Sequence, residues 1–172
     1  MNPFDKPLEE FLTRLFHLLD EAGVDVSNLE MDHVCYRVET LERYLALAHA
    51  WRLYAVDVHE SPVNGRPISV FVLRRPLRRA GRAISVIELP APKEGVSFRE
   101  GWEHAEFVIE GPTFNHFIAR HRHLAERFDR KSVNKSLNPE LGLKLDHGIQ
   151  AKFHFLPLAK VIELERQHAT HH

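Results

Sequence analysis

The sequence predicts an α+β fold in which a strand–helix–strand–strand–strand unit is stated twice, with one further helix in front of the first copy. Three observations predict it. The strand-like stretch Met31–Glu39 recurs 71 positions later, so that His33 returns as His104. A capped amphipathic helix follows each copy. Alternating apolar segments bounded by Gly, Pro and Asn follow each helix.

The leading helix is expected over about residues 7–22, because Leu8, Phe11, Leu12, Leu15, Phe16, Leu18 and Leu19 recur at helical spacing. Asp5 is a suitable cap, Pro7 suits the first turn and Gly23 is a natural stop. This helix lies outside the repeat and reads as a cover packed on the core.

The first strand alternates cleanly, with Val34, Tyr36 and Val38 on one face and His33, Cys35 and Arg37 on the other. Thr40 caps the helix that follows, whose apolar stripe is Leu41, Tyr44, Leu45 and Ala48. Tyr54–His59 alternates as a strand. Asn64-Gly65 signals a hairpin, since both residues tolerate positive φ. Ile68–Leu73 is a β-branched run, Arg74–Arg82 reads as a basic loop, and Ala83–Leu89 is a further strand ended by Pro90, Pro92 and Gly95.

In the second copy Asp32 falls on Glu103, Tyr36 on Phe107, Val38 on Ile109 and Glu39 on Glu110. Ala105, Phe107 and Ile109 share one face, and His104 and Glu106 the other. Thr113 would cap a helix with the stripe Phe114, Phe117, Ile118, His121 and Ala125, and Gly111-Pro112 absorbs its slightly larger offset. A strand follows over 129–134. Leu141–Leu145 alternates, and Asp146-His147-Gly148 is a turn. The last strand, Ile149–Leu156, carries Gln150, Lys152 and His154 opposite Ile149, Ala151, Phe153 and Phe155, and Leu158–Gln167 closes the chain as a helix. No low-complexity linker separates the copies. Residues 1–172 therefore read as a single domain whose modules, about 31–90 and 102–165, share one core.

Composition narrows the function. A chain of 172 residues buries roughly 70% of its unfolded surface, so it needs neither metal nor disulfide merely to hold together. A net charge of −1 gives no global attraction to nucleic acid or an anionic membrane. The Arg74–Arg82 stretch lacks interleaved aromatics, so an RNA-associated role ranks low. A single cysteine excludes an internal disulfide and suits a reducing, cytoplasmic setting. The N-terminus shows no signal-peptide pattern, and no apolar run approaches the ~20 residues of a membrane span. The excess is in histidine, 13 in all, three of which (His168, His171, His172) crowd a frayed C-terminal tail.

Two histidines at one point of two repeated strands suggest a metal site; the alternative is an edge strand with a wet polar face. Cys35 reads as a small buried hydrophobe rather than an activated thiol. Asp32 and Glu103 alternate onto the face opposite the histidines and read as surface charges. Arg37 could hold an anionic substrate by a bidentate contact, or pair with Glu106. The chain has no Ser-His-Asp context, no Gly-rich phosphate loop and no Cys-x-x-Cys.

Four stretches, Met31-Asp32-His33, Asn64-Gly65-Arg66-Pro67, Ile87-Glu88-Leu89-Pro90 and Glu100-Gly101-Trp102-Glu103-His104, resemble the YecM family over about residues 8–165. The tandem βαβββ order, with histidine on each first strand, resembles the wider vicinal oxygen chelate superfamily of glyoxalase I, extradiol dioxygenases and antibiotic-resistance binding proteins. That resemblance implies a curved mixed sheet around a concave site, where first and last strands hold a divalent metal (Zn, Ni, Fe or Mn). The implied ligands are His33, His104, Glu88 and His154. The last departs from the usual glutamate, and Lys152 beside it is a poor neighbour for a cation, so a set of three protein ligands with open positions is the other option. Glu106 is a reserve ligand or a general base, and Arg37 a substrate contact. The implied function is a metal-dependent lyase, isomerase or dioxygenase acting on a small oxygenated molecule. The alternative is a non-enzymatic small-molecule binding module with the same pocket. No nucleic-acid or membrane partner is expected, and a monomer is favoured over a homodimer.

Overall fold

The duplicated strands meet in the middle of the molecule. The computed structural model describes residues 4–169, in which eight strands form one mixed sheet. The first module contains β1 (Glu30–Arg37), α2 (Leu41–Trp51), β2 (Ala55–Val63), β3 (Arg66–Arg79) and β4 (Arg82–Pro90). The second contains β5 (Gly101–Val108), α3 (Asn115–Arg120), β6 (Phe128–Asp129), β7 (Glu140–Lys144) and β8 (Gln150–His154). The helix α1 (Asp5–Glu21) precedes both, and α4 (Leu158–Ala169) follows them.

The strand order β2-β3-β4-β1-β5-β8-β7-β6 is the same on either side of the β1–β5 seam. In each module the first strand pairs in parallel with the last, and β1 pairs antiparallel with β5. Val34 lies opposite Ala105, its own counterpart in the repeat. A local twofold relation therefore passes through that pair, and what one module places on a given face the other places there too. The expected α+β architecture of two βαβββ modules and a leading helix is the one observed.

Alternation then decides the faces. Val34, Phe71, Ile87, Leu89, Ala105, Phe107, Leu141, Leu143 and Phe153 are buried together against Leu8, Leu12, Leu15 and Leu19 of α1, Tyr44 and Trp51 of α2, and Phe114. The opposite face carries the polar set. Over the first module α4 covers it, packing Leu158 and Ile162 on Val70 and Val86.

Several local expectations are corrected. α1 begins at Asp5 behind Phe4, so Asp5 is the first helical residue and not the cap. Thr40 does cap α2, accepting the Arg43 N–H, but Leu41 and Leu45 are 55% and 59% exposed while Trp51 is buried in their stead. The helix is rotated so that Tyr44, Ala48 and Trp51 face the sheet. Arg74–Arg82 is no loop. β3 runs on to Arg79 past a register shift, and the reversal is confined to Ala80 and Gly81, with φ of 46° and 74°. Asn64 and Gly65, with φ of 52° and 79°, make the expected hairpin. Thr113 caps nothing: α3 starts after Phe114 without a side-chain cap and gives way to a 3-10 turn over Arg122–Arg127. The strand expected over 129–134 shrinks to Phe128–Asp129. Among the described residues no helix is long and apolar enough to cross a membrane. His171 and His172 lie outside the described residues.

Candidate metal centre

A one-residue offset in strand pairing builds this centre. On β1, Met31 pairs with Phe107 and His33 with Glu106, leaving Asp32 as an extra residue. On β5, His104 pairs with Cys35 and Trp102 with Tyr36, leaving Glu103 as the extra one. Asp32 and Glu103 are equivalent positions of the repeat, so each module carries the same bulge one residue before its histidine. A bulged residue leaves the in–out alternation of its strand and re-aims its side chain. Asp32, expected on the surface, is therefore buried, and its Oδ2 lies 2.9 Å from Nδ1 of His33. Glu103 likewise turns toward its histidine, with Oε1 3.5 Å from Nδ1 of His104, an ion-pair distance and too long for a good hydrogen bond.

The Asp32 contact orients the His33 ring, whereas His104 Nδ1 is buried without a hydrogen-bond partner and its ring is held through Nε2 and Glu106. A carboxylate accepting at Nδ1 fixes the proton there and leaves Nε2 as the donor atom for a metal. Nε2 of His33 is buried and has no hydrogen-bond partner. His154 reaches the same state through a different group. Its Nδ1 lies 2.6 Å from the Leu156 carbonyl, which also accepts from Asn138 Nδ2 at 2.9 Å, and its buried Nε2 has no partner.

The imidazoles converge on Glu106. Its Oε1 lies 3.1 Å from His104 Nε2 and 3.4 Å from His33 Nε2, while His154 Nε2 is 3.7 Å from Oε2. Donor atoms on a tetrahedral ion with bonds of ~2.0–2.1 Å lie about 3.3 Å apart. Both imidazole–carboxylate distances are close to that spacing, and donor atoms of His33, His104 and Glu106 all lie within 4.8 Å of one another. Asp32, His33 and His154 form a second compact group, and Cys35, Glu88 and His104 a third.

Glu88 Oε2 is 4.0 Å from His33 Nε2 at the more open side of the cluster, where its side chain is 18% exposed. The register shows why His154 is an imperfect substitute for a ligand on the last strand. Cys35 pairs with Glu88 in module one, and the equivalent Glu106 pairs with Lys152 in module two. Lys152, not His154, is the counterpart of Glu88. Its ammonium sits 3.1 Å from Glu106 Oε1 and 3.3 Å from Glu140 Oε1. Burial disfavours that charge, but Glu106, Glu140 and Glu88 outweigh it and raise the Lys152 pKa.

The same fields act on the other groups. Burial pushes the carboxyl of Glu106 up, but Lys152, His33 and His104 overcome this and hold its pKa well below the usual range. Burial would lower the His33 pKa, yet Glu106 and Asp32 raise it well above the ordinary histidine value. Glu103 falls to about 2, burial being overcome by His104 and Arg37. Cys35 is fully buried, and burial followed by Glu88 raises its thiol pKa well above normal, which leaves it unactivated.

Arg37 pairs with Glu103 through Nε and Nη2, and not with Glu106. Its Nη1 is buried without a partner, and its guanidinium lies 5.1 Å from the centroid of the Phe98 ring. The structure thus brings His33, His104, Glu88, His154 and Glu106 to one face and leaves Arg37 at the seam's end. Sequence reasoning missed Asp32 and Glu103. The signal was present, since both modules read acid-histidine, but strict alternation assigned the acids to the wrong side.

The family model described as YecM protein matches residues 2–165. Protein YecM of Escherichia coli (strain K12) is 36% identical over 107 residues, covering 58% of this chain and 55% of that protein. An uncharacterized protein of Haemophilus influenzae is 33% identical over 103 residues, covering 58% of this chain and 52% of its own length. The chain thus spans about half the length of these curated relatives. A solved structure titled "Structural Genomics, Protein EC4020" superimposes with a TM-score of 0.78 at 26% identity, covering 91% of this chain and 87% of the other.

Proposed function

The chain belongs to the YecM family, and from that premise and the geometry of the buried cluster we propose that it binds a divalent metal ion through His33, His104 and Glu106, with His154 and Glu88 at the flank. The observation that carries this is a pair of buried imidazole Nε2 atoms, on His33 and His154, without hydrogen-bond partners while their Nδ1 atoms are committed elsewhere. An unpaired buried donor or acceptor costs about 1–3 kcal/mol, so such atoms are kept where something occupies them. Two histidines and a carboxylate form a borderline donor set suited to Zn, Ni, Fe(II) or Mn.

A metal there would supply Lewis acidity toward a carbonyl or enolate oxygen, or toward water. The chain's own residues do the rest. Asp32 holds the His33 imidazole, Glu103 lends His104 a nearby negative charge, Lys152 neutralises the surplus carboxylate charge, and Glu88, at the more open side, would move a proton. Against its burial, the Glu88 carboxyl is also lowered by His33 and Lys152, but Glu106 is held well below the usual range and so suits the role of ligand better than that of general base. We propose, on the same premise, a cytoplasmic, single-domain protein, favoured as a monomer, acting on a small oxygenated molecule in a lyase, isomerase or dioxygenase reaction.

The second reading is a binding module without turnover. It is favoured by the closure of the centre, where His33, His104 and Glu106 are 2%, 0% and 5% exposed, and by Lys152 at the counterpart of Glu88. Metal analysis of protein purified without added metal, wild type beside His104→Ala, tests the proposal. A near-stoichiometric divalent ion in the wild type that is lost in the variant supports it. No ion under any loading condition overturns it.

A further inference from the structure

We propose that the groove between α1 and the loop preceding β5 binds a small organic anion, whose charge is held by Arg14 and Arg99 beside the Arg37–Glu103 pair and whose apolar body lies on Phe98 and Trp102. The groove has a cavity volume of about 760 Å³ and lies where β1 ends and β5 begins. That volume is within the ~300–1,000 Å³ of small-molecule sites. The site goes beyond the metal reading and does not depend on it.

The charge balance favours an anion. Of the acids lining the groove, Glu103 is spent on Arg37, and Glu100 on Arg43 and the Tyr36 hydroxyl. Glu10 also has a partner. Arg14 and Arg99 line the same groove and have no carboxylate partner among the described residues. Arg37 adds no net charge beside Glu103, only a buried Nη1 donor without a hydrogen-bond partner. Guanidinium forks match the geometry of carboxylates and phosphates, and a charge-assisted hydrogen bond is roughly twice as strong as a neutral one.

The apolar body is argued from the aromatics. Trp102 is held edge-on by Tyr36, with centroids 5.1 Å apart, and stacks on Trp51 at 6.4 Å, so it is a fixed surface. Phe98 covers Arg37 from the loop side. Glu103 forms part of the groove wall and also approaches His104.

Titration of the full chain with benzoate and with phenyl phosphate, in the presence of a metal chelator, tests the proposal independently of the metal. The readouts are calorimetry and the nitrogen chemical shifts of the Arg37 guanidinium and the Trp102 indole. Saturable binding at a Kd of about 1 mM or tighter is expected for at least one anion. Arg14→Gln together with Arg99→Gln, both exposed positions, should weaken it at least ~10-fold, and neutral benzyl alcohol should not bind in that range. Absence of saturable binding of both anions up to about 10 mM, equal binding of benzyl alcohol, or an unchanged Kd in the double variant overturns it.

Discussion

Asp32→Asn tests whether the twin bulges set the metal site. Asp32 Oδ2 receives the Leu158 backbone N–H at 2.8 Å, lies 2.9 Å from His33 Nδ1, and is 3.4 Å from His154 Nε2. As a carboxylate it can only accept, so His33 keeps a proton on Nδ1, and Nε2 is the nitrogen whose lone pair a metal would take in place of the second proton. An asparagine of the same shape has one accepting oxygen and a donating NH₂. Both contacts fall on Oδ2, so an amide oxygen in that place keeps them and only the negative charge behind His33 is lost. An NH₂ in that place opposes the Leu158 N–H, drives the His33 proton to Nε2 and removes that lone pair.

Loss of an oriented carboxylate behind a metal-binding histidine typically lowers affinity ~10–100-fold. That corresponds to about 1.4–2.7 kcal/mol. Calorimetric titration of chelator-stripped protein with Zn²⁺ measures it, and the histidine nitrogen shifts of the loaded protein report the tautomer. The expected result is a stoichiometric wild type, a variant weakened within that range, and a retained fold. A wild type that binds one ion beside a variant that binds within about twofold, with the tautomer unchanged, would refute the orienting role of Asp32 while leaving the site itself intact.

Other outcomes follow from the same geometry. Glu106→Gln should abolish metal loading and lower stability by about 2–3 kcal/mol, short of the full cost of breaking a buried pair because Lys152 keeps Glu140; denaturant unfolding measures the second effect. In the metal-free protein His33 has a raised folded pKa, so its contribution to stability is fully present below the unfolded value of ~6.5 and is lost as pH rises through the higher folded value. The denaturant midpoint of chelated wild type should therefore fall with rising pH above 6.5 more than that of His33→Asn; parallel profiles would contradict this. Glu103 has the opposite sign. Its depressed pKa of about 2 contributes stability above its unfolded value near 4.5 and loses it as pH falls toward 2, so Glu103→Gln should flatten the acid limb of the same curve. Leu41→Ser with Leu45→Ser should change stability by no more than about 0.5 kcal/mol per site, since both side chains face solvent; a larger loss by thermal melts would show that they are covered.

Much of this molecule is legible in its sequence because the repeat constrains it. His33 and His104 had to occupy equivalent points, and strand alternation placed them with Glu106 on one face. What the sequence did not show depends on pairing between strands. Strict alternation points Asp32 and Glu103 outward because it makes no allowance for an inserted residue, and only the partner strand reveals the insertion. The choice of Lys152 or His154 as the equivalent of Glu88 is again a matter of register, invisible without knowing which residues of β5 and β8 lie side by side. Leu41 and Leu45 satisfied a helical stripe but lost to Trp51, whose rings with Phe4, Tyr36, Phe71 and Trp102 close the core. The basic stretch after Leu73 read as a loop because Pro76 interrupts it; the structure places that proline within a register shift of β3, where no regular ladder bond is required of it.

X-ray absorption at the edge of the bound metal bears most directly on the central claim. The first shell of the loaded protein is expected to contain imidazole nitrogens from His33 and His104 and carboxylate oxygen, to lose one imidazole in His33→Ala, and to show no sulphur from Cys35. A shell containing sulphur, a shell unchanged in His33→Ala, or a protein that takes up no divalent ion at any concentration would contradict it.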